Sequence, residues 1–122
     1  MSKKNLILVV DDEPEIRLLL KEFLESHNYE VWLAEDGQKA IELAEKLTPD
    51  LVITDLLLPK EHGIDVLHQI KDRFFIPVIA ISGIYKKGEI MEDVEDIFLD
   101  GFYQKPLDLE DLLKGIRAVL YE

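Results

Sequence analysis

The chain has 122 residues, with 26 Asp and Glu against 14 Lys and Arg, a formal net charge of −12. That length suits one domain with its own core, and so acidic a chain argues against a broad basic face for nucleic acid or an anionic membrane, leaving proteins and cations as preferred partners. There is no cysteine, which excludes disulfides, thiolate metal sites and thiol catalysis.

The N-terminus enters an apolar run almost at once and meets Asp11 too soon for a signal peptide or a membrane span. Cytoplasmic residence without membrane insertion is the expectation. Short apolar runs at residues 6–10, 31–34, 51–54 and 78–81, with a weaker one around Phe102, read as strands buried on both faces. Between them lie helical patterns. Pro14 suits the first turn of a helix whose Ile16, Leu19, Leu20, Phe23 and Leu24 share one stripe. A second helix follows Asp36 and Gly37 and carries Ala40, Ile41, Ala44 and Leu47; a third carries Ile64, Leu67 and Ile70. The fourth, with Met91, Val94, Ile97 and Phe98, follows a loop running from Gly83 to Gly88. Asp108 is the expected N-cap of the last helix, in which Leu109, Leu112, Leu113, Ile116, Val119 and Leu120 face inward. Its Gly115 costs roughly 1 kcal/mol relative to Ala.

Strands alternating with helices of this length predict right-handed crossovers and a doubly wound α/β fold, a five-stranded parallel sheet with five helices on its two faces. In such sheets ligands bind beyond the carboxyl ends of the strands. Asp11, Asp12, Asp55, Ser82 and Lys105 all lie at those ends. Carboxylates gathered there need a cation to offset their repulsion, and Lys105 is expected to gain a partner only when a further anion, such as a phosphoryl group, arrives. Simpler roles compete: Asp11 and Asp12 as acidic residues complementing a helix dipole, Ser82 as a turn residue, Lys105 as a surface lysine. His27, His62 and His68 share no ligand spacing and are expected to be exposed.

The blocks VVDDEPEIR, ITDLLLPKEHG, VIAISG and YQKPLD, in that order, resemble the signatures of CheY-like response regulator receiver domains of two-component signal transduction. They span essentially the whole chain. The resemblance implies the strand order 2-1-3-4-5 and a phosphoryl group accepted by Asp55 from a sensor histidine kinase or phosphotransfer protein. It also implies Mg²⁺, held directly by Asp12, Asp55 and the backbone carbonyl of Leu57, with Asp11 acting through water. Hard cations of this kind favour a few carboxylates plus waters and substrate oxygens. Lys105 would neutralise one phosphoryl oxygen, Ser82 would donate to another, and Phe102 would be the switch aromatic. The phosphorylated domain would then change its affinity for a downstream protein through the face formed by the fourth helix, fifth strand and fifth helix. A phosphorylation-dependent homodimer remains open, as does the choice between a stand-alone regulator and a receiver from a longer protein. Such a domain is not an enzyme with a separate substrate, although it assists its own phosphorylation and dephosphorylation. The rival reading, an Mg²⁺-dependent aspartyl-nucleophile phosphatase of haloacid dehalogenase type, asks for a second Asp where this chain has Leu57.

Three departures stand out. Gly83 replaces the usual Ala, Phe102 has no hydroxyl to exchange with a partner, and Leu57 and Ile84 are apolar where fast-dephosphorylating members carry polar side chains. Neither Leu57 nor Ile84 can align a water by hydrogen bonding, so a long-lived phosphoform is expected. Leu57→Asn should shorten the lifetime of the acyl phosphate about tenfold if one aligned hydrogen bond contributes ~1.4 kcal/mol in the transition state. Decay of the labelled protein over time checks this, and an unchanged or longer lifetime would count against it.

Overall fold

The computed structural model describes residues 3–56, 63–83 and 99–121. Five parallel strands, β1 (Leu6–Val10), β2 (Glu30–Ala34), β3 (Leu51–Asp55), β4 (Val78–Ser82) and β5 (Gly101–Gln104), form one sheet in the order β2-β1-β3-β4-β5. The described residues contain four helices: α1 (Pro14–Ser26), α2 (Gly37–Leu47), α3 (Gly63–Phe74) and α4 (Leu109–Val119). The expected helix around Met91 to Phe98 lies outside them, so α4 is the fifth helix of the sequence reading.

Alternation along the strands builds two cores. Leu8, Val10, Val52, Val78 and Ala80 face α2 and α3, meeting Ala40, Leu43, Ala44, Val66, Leu67 and Ile70. Ile7, Val9, Leu51, Ile53, Ile79 and Ile81 face the other way, against Leu20 and Leu24 of α1 and Leu112, Leu113 and Ile116 of α4. Successive strand side chains point to opposite faces, so a strand apolar at every position is covered on both. The edge strand β2 departs from this rule, exposing Glu30 and Trp32. On α1, Leu19 is also exposed rather than inward, because Leu20 and Leu24 with the partly buried Ile16 and Phe23 already fill the contact stripe. His27 and His68 are half-buried rather than exposed, His27 lying against the Phe23 ring; His62 is outside the described residues.

Local chemistry sets the helix ends. Asp36 and Asp108 accept from the N–H groups of Lys39 and Asp111, as N-caps do. At the opposite ends, four non-glycine residues adopt left-handed backbone: Asn28, Thr48, Phe75 and Tyr121, with φ of 72°, 49°, 56° and 59°.

Gly115 has a packing reason that helix propensity hides. A Cβ there would overlap the Tyr103 hydroxyl and lie 2.9 Å from its ring Cζ, while a Cβ on Gly101 would lie 3.2 Å from the same ring. Two glycines thus seat Tyr103 between β5 and α4. Gly115→Ala should therefore destabilise the protein by about 1–3 kcal/mol through overpacking, yet stabilise a Tyr103→Ala background by up to ~1 kcal/mol through helix propensity. Urea denaturation of the four proteins in this cycle tests it; the same sign in both backgrounds would rule out the seat.

Candidate functional site

The site is built where three central strands end. Asp11 follows β1 directly and is fully buried. Its N–H donates to Ala34 O at 3.1 Å, which extends the pairing with β2. Its Oδ1 accepts from the Glu13 N–H at 2.9 Å, and its carbonyl accepts from Arg17 Nη1 at 2.7 Å. One residue thus ties β1 to the first turn of α1, while Asp12 beside it is exposed. Asp55 ends β3 and is almost buried. Ser82 ends β4, is fully buried, and accepts at its carbonyl from the Lys105 N–H at 2.8 Å.

That last bond fixes the start of the Lys105 side chain, and the Lys105–Pro106 peptide is cis. The lysine stem passes Gly83, where a Cβ would stand 3.7 Å from Lys105 Cδ. Alanine, usual at this place in the family, would fit in ordinary contact. The Lys105 ammonium reaches Asp55 Oδ2 at 2.9 Å, Asp11 Oδ2 at 2.9 Å and Glu13 Oε1 at 3.1 Å. This corrects the expectation that Lys105 lacks a partner until an anion arrives. Its four-carbon stem is long enough to cross the strand ends, and the negative cluster draws the charge in.

Burial alone would lower the Lys105 pKa, but its hydrogen bond to Asp55, its close contact with Asp11 and the charges of both outweigh it and hold the ammonium above the usual lysine range. Asp11 shifts the opposite way for a carboxyl. Burial pushes it up from 3.8 to about 6, against the Glu13 N–H and the nearby Lys105 ammonium, with the Asp55 charge adding to the rise. The Asp11 Oδ2 contact with Lys105 is close enough for an ion pair but falls outside hydrogen-bond geometry, and this buried oxygen has no hydrogen-bond partner.

One ammonium offsets only part of the negative charge gathered around this oxygen, which suits the cluster to a further cation. Asp11, Asp12, Glu13 and Asp55 each offer an oxygen, all within 4.8 Å of one another. Oxygen donors of this kind fit a hard divalent ion. The carbonyl of Leu57, expected as a further ligand, lies outside the described residues, as does Ile84. Glu13 is the group that sequence reasoning missed. It occupies the N-cap of α1 without a side-chain capping bond, so its carboxylate is available to the site, and a Glu where Ser, Thr, Asp or Asn usually caps was the available signal. Arg17 was missed as well, because nothing in a helical pattern reveals that it reaches back to a strand carbonyl. On β5, Phe102 is half-buried against the α2 and α3 core and Tyr103 against the other.

Comparison with known proteins gives a consistent assignment. Residues 7–117 match the family model described as the response regulator receiver domain. Response regulator RR06 of Streptococcus pneumoniae is 36% identical over 114 residues, covering 93% of this chain and 52% of the relative. Transcriptional regulatory protein CpxR of Escherichia coli is 36% identical over 118 residues, covering 95% of this chain and 49% of the relative. The chain thus spans about half the length of the curated relatives it matches. Among solved structures, the chemotaxis response regulator CheY4 of Vibrio cholerae superposes with a TM-score of 0.87 at 27% identity, covering 96% of this chain and 99% of that one. A response regulator receiver domain protein from Clostridium thermocellum gives 0.86 at 28%, covering 96% and 94%.

The raised Asp11 pKa has a consequence for stability. The native state holds this proton up to about pH 6, the unfolded chain only to about 3.8, so the contribution is fully present at the acid end and is lost as pH rises through 6. Two units correspond to at most about 3 kcal/mol. In chelator, the unfolding free energy of wild type minus that of Asp11→Asn should fall between about pH 4 and pH 7, by no more than this amount. Urea midpoints across that range give the difference, and a flat or rising profile would reject the burial of a titrating Asp11.

Proposed function

The chain belongs to the response regulator receiver family, the signalling domains of two-component systems, and from that premise we propose that Asp55 accepts a phosphoryl group from a sensor histidine kinase or phosphotransfer protein. The observation that supports this most is the Lys105 ammonium 2.9 Å from Asp55 Oδ2. A cation already on the acceptor is preorganised for the oxygens of an incoming phosphoryl group. The Asp55 carboxylate attacks phosphorus, the bond to the donor nitrogen breaks, and the product is an acyl phosphate. Lys105 then turns a donor to a phosphoryl oxygen, and the Ser82 hydroxyl, at the adjacent strand end, donates to another. Asp12 and Asp55, with Asp11 through water, would hold Mg²⁺, which would supply further neutralisation of those oxygens when bound. Asp11 has a second duty here, since its bonds to β2 and α1 hold the acidic turn in place.

The output is a change in affinity for a downstream protein, by shifting a pre-existing equilibrium. Lys105 adjoins β5, and β5 carries Phe102 and Tyr103 toward opposite cores. A groove of about 490 Å³ beside it is lined by Phe102, Tyr103, Pro106 and Asp111 among others, which supports β5 and α4 as the described part of the docking face. No helix among the described residues is long and apolar enough to cross a membrane.

Incubation with acetyl phosphate and Mg²⁺ should add one phosphoryl mass to the wild type and none to Asp55→Asn. Lys105→Ala should still bind Mg²⁺ while its affinity for the downstream partner responds little to phosphorylation. Undiminished labelling of Asp55→Asn, seen by intact mass, would remove Asp55 from the role.

A further inference from the structure

Lys105 is held by a residue that the proposed reaction does not use. An ammonium has three N–H donors. One goes to Asp55 Oδ2 at 2.9 Å and one to Glu13 Oε1 at 3.1 Å, while Asp11 Oδ2 closes the third side at 2.9 Å. A phosphoryl oxygen arriving on Asp55 therefore meets a surrounded cation, and one carboxylate must give way.

The three are not equally free to do so. Asp11 is fully buried, with its other oxygen tied to the Glu13 N–H. Asp55 is the acceptor itself. Glu13 makes the longest of the three contacts from a side chain that is 53% exposed, so releasing it into water restores its hydration at little cost. Nor is its carboxylate committed to the helix, since it makes no side-chain cap to α1. Resting on the reading of Asp55 as phosphoacceptor, we propose that Glu13 is a positioning residue that acts as an exchangeable latch, occupying the Lys105 ammonium until a phosphoryl oxygen displaces it.

A latch of this kind sets how readily the domain reacts with a weak donor. Removing it leaves Lys105 bound to Asp11 and Asp55 with one donor available to the incoming anion. The competition acts on donor engagement, so the half-saturating donor concentration changes more than the maximal rate. Reach also matters: Asp at position 13 keeps the charge but is one methylene too short for a contact already at 3.1 Å.

The test measures labelling rate against acetyl phosphate concentration, at saturating Mg²⁺ and fixed ionic strength, for wild type, Glu13→Gln and Glu13→Asp, with Asp55→Asn as the blank. Both Glu13 variants should lower the half-saturating concentration roughly two- to fivefold, the size of a partly exposed ion pair, with melting temperature unchanged. Acceleration by Glu13→Gln alone would assign the effect to lost negative charge and overturn the latch. Equal or slower labelling in both variants would overturn it too. A tenfold or greater loss of Mg²⁺ affinity in both, measured by calorimetry, would make Glu13 a metal ligand instead. If wild type takes no label above the Asp55→Asn blank, the phosphoacceptor reading falls and the latch with it; if wild type is labelled and the variants match it, the latch alone falls.

Discussion

Two carboxylates removed from water at adjacent strand ends are tolerable only because one ammonium lies between them. Asp11 and Asp55 repel each other and both lose hydration on burial, a combination that would drive one of them to take up a proton. Lys105 moderates that pressure on Asp11. The arrangement also binds distant parts of the chain together. Lys105 is placed by its N–H bond to Ser82, Asp11 by its bonds to Ala34, Glu13 and Arg17, so the ion pairs connect β1, β3, β4, β5 and α1. Truncating one member of such a buried set leaves the others uncompensated, which is why its integrity matters beyond the energy of any one pair.

The fold was legible because the strands are apolar at nearly every position and are separated by amphipathic helices. Parallel pairing with helices on both faces is the one layer arrangement that buries such strands. The site was legible in its residues because acidic and basic side chains terminate those runs. What the sequence did not contain was reach. Nothing in the order of residues says that the Lys105 stem spans three carboxylates, that Glu13 turns from the helix cap toward the site, or that Arg17 returns to the Asp11 carbonyl. Leu19 and Trp32 show a related limit, since periodicity marks apolar positions without saying which have a neighbour to cover them.

β5 is where these features meet. It is four residues long and lies at the sheet edge, yet Phe102 enters one core and Tyr103 the other, and the next turn carries the site lysine. Its glycine at position 101 and the one opposite in α4 leave room for a single aromatic ring. A small movement of this strand changes the packing of both layers and the place of the ammonium together. Packed interiors resist gradual deformation, so β5 cannot shift without disturbing both layers.

The opposite end of the sheet tells a different story. Asn28, Thr48, Phe75 and Tyr121 end their helices in backbone conformations that suit glycine, and Phe75 and Tyr121 leave large rings in water while doing so. Bulky residues in the left-handed region are strained. The strain sits away from the strand ends that carry the charges, so the molecule holds its unrealised stability where the chemistry does not reach. A variant library confined to these helix ends would find tolerance to heat and retained signalling in the same proteins, without the trade-off that usually sets one against the other.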